Sequence, residues 1–390
     1  MEKGNLEFGA LQWFYWSSIL CFQGFLVPFL IENGYTNIQI GIISSFISLM
    51  TVIAQPMWGF LCDRFETVKK ILVPAMLVSG IIVAALPSFR NNFWLVLTIS
   101  SVYSLTANSM PTIIDTWTLK SAVYKPTILY GPTRAAGSAG YAILALFCGR
   151  LFDIFGLNYS FYAYGFFTVV TTFIATSMDD SCMRQGPSLK RSSVSVTTMV
   201  KSVVANYEYR AFLLFGTVFA IGMRGTLTFF PVLLKHVGGT NSDLGWAILV
   251  MAGSEIPPLI LSTQLLKRFK PQTLLIASMF FYALRIGLHI PLHSTTGLIL
   301  IQVTQAFSFG LYLPAMLYFV DSVAPPHLKT AYQTLAVAFN SGIGSIVGNY
   351  IGGIIVDSRG IYAYYCFATL AVLLGAIGFS LFLGMKRTSS

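Results

Sequence analysis

The chain has 390 residues, of which 55% are hydrophobic and only 10% are charged, with a mean hydropathy of +0.72. Soluble domains carry about a quarter charged residues, so this composition excludes an ordinary soluble protein and indicates an integral membrane protein. The net charge of +10 would suit a nucleic acid partner. The basic residues, however, lie in the connections between apolar runs, which is a topology signal and argues against nucleic acid.

Twelve apolar runs follow one another along the chain, each of roughly 18–25 residues, the length that spans ~30 Å of hydrocarbon as a helix. They lie near residues 8–31, 39–62, 70–89, 93–118, 129–151, 158–177, 209–234, 243–266, 272–292, 297–320, 331–356 and 361–384. The first run has the length of a span and lacks a small-residue cleavage site, so we predict no cleavable signal peptide. The sequence therefore predicts an all-α integral membrane protein with twelve transmembrane helices.

The basic residues indicate which side of the membrane each connection occupies. Of the 24 lysines and arginines, four lie in alternate connections and three lie within runs, while all others lie in the remaining connections and near the termini. Those on the minority side are Arg90, Arg150, Lys235 and Arg359. Because cytoplasmic connections carry the excess of lysine and arginine, we predict a multi-pass protein of the cytoplasmic membrane with both termini inside.

The longest polar stretch, residues 178–208, is rich in serine, threonine and basic residues and separates six runs from six. We predict an N-terminal six-helix bundle over 1–177, a cytoplasmic linker over 178–208 and a C-terminal six-helix bundle over 209–390. Short motifs recur in both halves in the same order, offset by 203–204 residues. The matched pairs are 25–30 with 229–234, 36–41 with 240–245, 64–65 with 268–269 and 149–156 with 353–360. These matches predict a duplication, as in transporters whose parallel halves rock about a midplane site.

The connection between the second and third runs, residues 59–70, reads GFLCDRFETVKK. It resembles the G-x-x-x-D-R-x-x-x-(K/R) loop of the major facilitator superfamily. The resemblance implies that Gly59 permits close helix approach and that Asp63, followed by Arg64, caps or pairs with a neighbouring helix end as an inner latch. The alternative is a positively charged cytoplasmic connection with an incidental aspartate.

Longer segments resemble one branch of that superfamily, the group of lactose permease, phenylpropionate permease and nucleoside proton symporters. These segments are 24–70, 131–140 (GPTRAAGSAG), 253–257 (GSEIP) and 283–285 (ALR). The resemblance implies two pseudo-symmetric six-helix bundles around a central cavity, working as a single chain by alternating access. It implies secondary active transport of a small organic solute (a sugar, a nucleoside or an aromatic acid) in symport with protons. A proton-coupled efflux antiporter of amphipathic compounds and an uncoupled facilitator stay open as alternatives.

Asp115 lies near the end of the fourth run and Arg134 near the start of the fifth. Charged groups at membrane depth are rare and costly, and they usually mark a pathway for solute or ions. We hypothesise that the two side chains face each other across a polar cavity, where the planar guanidinium binds a carboxylate or paired hydroxyls of the solute. The alternatives are a static buried ion pair and an arginine that reaches the membrane interface.

Glu255 lies inside the eighth run, just before Pro257-Pro258, which disturb the backbone hydrogen bonds of a helix. A carboxylate in a partly dry site can bind and release a proton near neutral pH. Glu255 is therefore predicted to couple protons and to bind substrate.

Two further arginines lie within spans. Arg285, in the ninth run, is expected to pair with Glu255 or Asp321, or to face the cavity. Arg224, in the seventh run, is expected either to bind an anionic solute or to balance Asp115 and Glu255. The alternative for Glu255 is a purely structural partnership with one of the intramembrane arginines.

Gln305, Asn340 and Trp117 complete the predicted substrate contacts, because amides bind hydroxyls and tryptophan faces stack on rings. The histidine and glutamate that lactose permease carries on its tenth span align here with Gln305 and Ser308. This departure implies that proton coupling is absent or has moved to a carboxylate elsewhere: Glu255, Asp115 or Asp321.

No enzyme activity is predicted, because the spans hold no Ser/His/Asp constellation, HExxH motif or cluster of metal ligands. The five cysteines are scattered without CxxC or metal spacing, so no metal site, cofactor or disulfide is predicted. A membrane enzyme or a non-transporting sensor is the rival class, and passage of a solute across a membrane carrying the purified protein alone would separate the two. The expected partners are the solute, protons and the lipid bilayer.

Overall fold

The computed structural model describes residues 3–185 and 196–388, so residues 186–195 of the predicted linker lie outside the described residues. Every regular element within these two ranges is a helix. Up to residue 185 the elements are α1 (Lys3–Ile19), a π-helical turn (Leu20–Gly24), α2 (Leu26–Glu32), α3 (Asn37–Phe65), α4 (Lys69–Ala84), a 3₁₀ turn (Leu86–Phe89), α5 (Phe93–Thr106), α6 (Pro111–Tyr124), α7 (Tyr130–Phe155), α8 (Asn158–Ser177) and α9 (Cys182–Gln185).

The second described range continues with helices of the same kind. They are α10 (Val196–Ala205), α11 (Tyr207–His236), α12 (Asn241–Arg268), α13 (Pro271–Leu288), α14 (Thr295–Leu300), a 3₁₀ segment (Ile301–Ala306), α15 (Phe309–Val323), α16 (Lys329–Val337), a π-helical turn (Ala338–Ile343), α17 (Gly344–Arg359) and α18 (Ile361–Thr388). The helix α12 continues through Pro257 and Pro258 without a break.

Nine helical segments within the described ranges are long and apolar enough to cross a membrane. They are Lys3–Glu32, Asn37–Phe65, Tyr130–Phe155, Tyr207–His236, Asn241–Ser262, Pro271–Leu288, Thr295–Val323, Lys329–Arg359 and Ile361–Gly384. The predicted run 70–89 holds a helix of only 16 residues, and the run 93–118 is divided into α5 and α6. Pro111 opens α6 because a proline has no N–H with which to continue the preceding helix. The all-helical fold agrees with the sequence, whereas the count of twelve spans stays a prediction.

The chain divides into two compact units whose bounds differ from a simple cut at the linker. The first unit consists of Met1–Tyr35, Phe46–Lys190 and Thr240–Leu249, and the second of Thr36–Ser45, Arg191–Gly239 and Val250–Ser390. Each unit thus includes a short segment from the other predicted half, at the start of α12 or of α3. The predicted bundle boundaries at 1–177, 178–208 and 209–390 stay a prediction.

In the first unit, the segment at the start of α12 is bound by a carboxylate near the end of α7. The Asp153 carboxylate accepts hydrogen bonds from the backbone N–H groups of Asn241 and Ser242, at 2.9 and 2.8 Å. The first N–H groups of a helix have no partner within that helix, and a negative charge there also complements the helix dipole. Asp153 therefore satisfies two free donors and fixes where α12 begins.

The second unit repeats this arrangement with α17 and α3. The Asp357 carboxylate accepts from the backbone N–H groups of Asn37 and Ile38, at 3.0 and 2.8 Å, and from the Asn37 side-chain amide at 2.8 Å. The residues involved are the matched motifs of the sequence. Residues 149–156 bind residues 240–245, and residues 353–360 bind residues 36–41.

A glycine one helical turn before each aspartate brings the backbones into contact. A Cβ atom at Gly149 would lie 3.1 Å from Cα of Ser242, and one at Gly353 would lie 2.9 Å from Cα of Ile38. Neither position has room for a side chain unless the neighbouring helix moves. The glycine and the aspartate of the motif therefore act on the same neighbouring helix. The glycine lets the two backbones touch, and the aspartate caps the N-terminus of that helix.

Small-residue faces also set the helix packing inside each unit. A Cβ atom at Gly137 on α7 would lie 2.5 Å from the Trp16 ring on α1, and one at Gly344 on α17 would lie 2.5 Å from Ala220 on α11. Membrane helices use such faces for close contact because lipid offers no hydrophobic driving force between them. The approach of α1 to α7 places the polar residues of α1 beside the first turns of α7.

Replacing Asp357 with alanine removes the acceptor at the N-terminus of α3. We expect the free energy of unfolding to fall by about 1 kcal/mol, the usual cost of losing a side-chain cap. The measurement is reversible denaturant unfolding of the purified protein in detergent. Ser358→Ala is the matched control, because the Ser358 hydroxyl bonds to carbonyls of its own helix. Equal losses in the two variants would contradict the role given to Asp357.

Candidate functional site

The first unit brings Asp115 of α6 and Arg134 of α7 together. The Arg134 Nε atom lies 3.9 Å from Asp115 Oδ1, and the two side chains are 31% and 27% exposed. This separation is too long for a direct hydrogen bond. The pair is loose and partly open, so each charged group has free hydrogen-bonding capacity.

Two side chains of α1 hold this pair in place. The Gln12 amide donates to Asp115 Oδ1 at 2.9 Å and accepts from the indole N–H of Trp16 at 3.0 Å. The guanidinium carbon of Arg134 lies 4.5 Å from the centre of the Trp16 ring, and its Nη1 donates to Ser138 at 3.3 Å. A cation over an indole face is attracted to the ring. The result is a connected cluster, here named the first cluster, of Gln12, Trp16, Asp115, Arg134 and Ser138.

The second unit contains a cluster built around Arg285, which is only 6% exposed. Its Nη1 donates to Gln305 Oε1 and its Nη2 to Gln302 Oε1. Gln305 in turn donates through Nε2 to Glu255 Oε1 at 2.7 Å. The amide of Gln305 therefore stands between the guanidinium and the carboxylate. We name Glu255, Arg285, Gln302 and Gln305 the second cluster.

His289 supports the second cluster from one turn beyond Arg285. Its Nδ1 lies 2.7 Å from the Arg285 carbonyl oxygen, and its Nε2 lies 3.3 Å from the Gln302 amide nitrogen. A carbonyl can only accept, so Nδ1 carries the proton, which leaves Nε2 to accept from Gln302. The imidazole also stacks on Tyr365 with centroids 5.3 Å apart. His289 thus fixes the orientation of the Gln302 amide.

Arg224 and Asn340 lie near the π-helical turn that joins α16 to α17. Arg224 donates through Nη2 to Ser341 Oγ at 2.6 Å, and its Nε has no hydrogen-bond partner among the described residues. The Asn340 amide donates only to Met316 Sδ, at 3.7 Å, and its Oδ1 is unpartnered within the same residues. Arg224 pairs with neither Asp115 nor Glu255 in the described structure. Single π-helical turns are common at functional sites.

One pairing expected from the sequence needs correction, and one predicted solute contact, Trp117, stays a prediction although its side chain is buried. Asp321 forms an ion pair with Lys329, Oδ2 to Nζ at 2.6 Å, and both side chains are about half exposed. The expected pairing of Arg285 with Asp321 is therefore wrong, and Arg285 reaches Glu255 only through Gln305. Trp117 is fully buried and packs edge-on against Phe8, so it belongs to the core of the first unit.

The residues of the predicted inner latch lie at the end of α3. Asp63 forms an ion pair with Lys120 of α6, Oδ1 to Nζ at 3.8 Å, within the first unit. Arg64 is exposed. A Cβ atom at Gly59 would meet nothing within 4 Å, so the expected close helix approach at Gly59 is wrong. The latch itself stays a prediction.

Four side chains that organise the two clusters are noticeable in the sequence only as polar or aromatic span residues, with no role assigned to them: Gln12, Trp16, Gln302 and His289. All of them are uncharged and stand in apolar segments, where a single polar residue is not distinctive. The usable signal was the spacing of Gln302 and Gln305, which places two amides one turn apart on a helix. The position of Arg285 and His289, four residues apart, gave the same kind of signal.

Comparison with protein families and curated proteins covers nearly the whole chain. The model of the MFS_1 like family matches residues 7–367. A maltose permease of Geobacillus stearothermophilus is 26% identical over 92% of this chain and 89% of its own length. The putative nucleoside transporter YegT of Escherichia coli (strain K12) is 24% identical over 91% and 84%. The multidrug resistance protein MdtG of Proteus mirabilis (strain HI4320) is 24% identical over 89% and 86%.

The fold matches a solved structure over its full length. The crystal structure of the nucleoside transporter NupG superimposes with a TM-score of 0.82, over 99% of this chain and 100% of that one, at 14% sequence identity. At this sequence identity the NupG structure shows the fold alone. The family is shown by the family model, which matches most of the chain. The chain belongs to the MFS_1 like family and is a multi-pass membrane transporter of the major facilitator superfamily.

Proposed function

We propose that this transporter moves a small hydroxylated organic solute, a sugar or a nucleoside, across the cytoplasmic membrane by alternating access in symport with protons. The observation that carries the proposal is the first cluster. It combines a loose, partly exposed ion pair with an indole ring and an amide. Sugars and nucleosides offer paired hydroxyls and a ring face, which these groups bind together.

The chemistry of the first cluster favours hydroxyl groups over an isolated charge. The Asp115 carboxylate can accept two hydroxyl protons, and the Arg134 fork can donate to two oxygens. The net charge of the pair is zero, so a neutral solute enters without leaving an unbalanced charge. An aromatic acid would instead compete with Asp115 for Arg134, which makes it the weaker member of the predicted solute classes.

The relatives support the same solute classes, since one is named a maltose permease and another a putative nucleoside transporter. A second candidate function is proton-coupled efflux of amphipathic compounds, favoured by the relative named a multidrug resistance protein. Facilitated passage of the solute without coupling to protons is a third candidate function. We propose that the protein works as a single chain with both termini in the cytoplasm.

We place the coupling proton on Glu255. Its carboxylate is only partly exposed and receives a hydrogen bond from Gln305, while Arg285 is neutralised by no carboxylate in direct contact among the described residues. Protonation of Glu255 would weaken its hold on the Gln305 amide and so change what Gln305 offers to Arg285. A proton on Glu255 is thereby linked to the donors that Arg285 presents. Asp115 is the alternative carrier of the coupling proton. Asp321 is the least suitable carrier, because it is half exposed and already forms an ion pair with Lys329.

The proposed function is tested by recording external pH in lightly buffered cells that express the protein. Sugars, nucleosides and aromatic acids are added one at a time, and uptake of each labelled solute is followed in parallel. Alkalinisation with one sugar or nucleoside is expected. Uptake of a solute without a pH change would remove the proton from the proposal, and extrusion of amphipathic dyes alone would favour efflux.

Arg134→Gln is expected to lower kcat/KM for uptake at least a hundredfold, because it removes the charged group that donates two hydrogen bonds to the solute. Arg134→Lys should lose at least tenfold, since a lysine keeps the charge but not the planar fork. The measurement is the initial rate of labelled solute uptake, normalised to protein in the membrane. Arg359→Gln, at an exposed position at the end of α17, is the matched control and should transport normally. A normal rate in Arg134→Gln would show that the first cluster does not bind the solute.

Glu255→Gln is expected to abolish solute-driven alkalinisation while solute exchange across the membrane continues. Glutamine keeps the shape and a hydrogen-bond acceptor for Gln305 but cannot carry a proton. Exchange is measured as efflux of labelled solute into unlabelled solute, and Glu32→Gln serves as the control for loss of an acidic residue elsewhere. If Glu255→Gln still alkalinises the medium, the coupling proton lies on another group, and Asp115→Asn is the next variant to compare.

A further inference from the structure

A groove of about 930 Å³ lies in the first unit, lined by the later turns of α7, the first half of α8 and the start of α12. It shares no residue with either cluster. Its walls are large apolar and aromatic side chains, including Phe147, Leu151, Tyr162, Phe166 and Trp246. All five are well exposed, with Trp246 at 47%. On a membrane-spanning protein, exposed apolar side chains of this kind are the surface that meets the hydrocarbon of lipid.

One cation lines this apolar groove. Arg150 is exposed and has no acidic partner among the described residues. Asp153, three residues later on α7, is already bound to the N–H groups of Asn241 and Ser242. The guanidinium of Arg150 is therefore able to bind an anion in the groove. An apolar surface with a single cation among its lining residues matches a molecule with a hydrocarbon body and an anionic head.

We propose that this groove is a binding site for one glycerophospholipid, with an acyl chain along the aromatic wall and the headgroup phosphate on Arg150. Arginine binds phosphate through two parallel hydrogen bonds. Tyrosine and tryptophan prefer the level of the headgroups, which suits Tyr159, Tyr162 and Trp246 in the lining of the same groove. The occupant is a membrane lipid because the groove opens on the apolar surface of a membrane-spanning protein.

The bound lipid would also span the contact between α7 and the start of α12. Ser242 and Trp246 line the groove on one side and Arg150 and Leu151 on the other. The Asp153 cap and the Gly149 contact join the same two segments. A lipid in the groove therefore adds a third link to this pairing, made through phosphate and hydrocarbon.

The test uses quenching of Trp246 fluorescence by lipids with brominated acyl chains, added to the purified full-length protein in detergent. The Trp246 signal is the difference between the wild type and Trp246→Phe. We expect dibrominated phosphatidylglycerol to quench at an about fivefold lower mole fraction than dibrominated diacylglycerol, which lacks the phosphate. This comparison needs no variant of Arg150. Equal quenching by the two lipids would overturn the proposal and leave only unspecific contact with hydrocarbon.

The role of Arg150 is tested in the same assay. Arg150→Gln should remove the difference between the two lipids, and Arg150→Lys should keep most of it, because lysine also binds phosphate as a point charge. Arg90→Gln is the matched control, since Arg90 is an exposed arginine outside the groove. A difference that survives in Arg150→Gln, or disappears equally in Arg90→Gln, would show that Arg150 does not bind the headgroup.

Discussion

The carboxylates of Asp153 and Asp357 are the interaction on which the architecture depends. Each binds the free N–H groups of a helix that begins in a different part of the chain. These donors have no partner within their own helix, and a carboxylate there also complements the helix dipole. A charged acceptor at the helix dipole is the strongest local solution, and the protein uses it twice with the same glycine and aspartate spacing. The start of α3 and of α12 is thereby fixed against α17 and α7.

The two clusters resolve the cost of charge in an apolar region in different ways. In the first, Asp115 and Arg134 balance each other, and Gln12 with Trp16 completes their contacts. In the second, no carboxylate among the described residues touches Arg285, and two glutamines take its place. An amide can accept from a guanidinium and donate to a carboxylate at once, so Gln305 connects Arg285 to Glu255 without neutralising either. A buried charge satisfied by amides is held in position yet stays available to a further anion or dipole.

The class of fold and the charged residues of the two clusters could be picked out from the sequence, because both give strong signals. Apolar runs of membrane length cannot be mistaken for soluble helices, and Asp115, Arg134, Glu255 and Arg285 stand out within them. Gln305 was predicted as a solute contact, but its position between Arg285 and Glu255 was not, because a glutamine in an apolar run looks like tolerated polarity until a neighbouring helix places it beside a charge. The ion-pair partner of Asp321 was not predictable for a related reason. Lys329 lies eight residues further along the chain, beyond the end of α15, and helical periodicity gives no information on contacts across the end of a helix.

The exchange of short segments between the units has a consequence for how the chain can assemble from pieces. A polypeptide cut between its two halves would yield two fragments, and neither would contain all the residues of one compact unit. The N-terminal fragment would lack Thr240–Leu249 and the C-terminal one Thr36–Ser45. Each fragment would present an aspartate without its helix and a helix without its aspartate. Complementation of the two fragments would therefore be reciprocal, because each piece supplies the helix start or the aspartate that the other lacks.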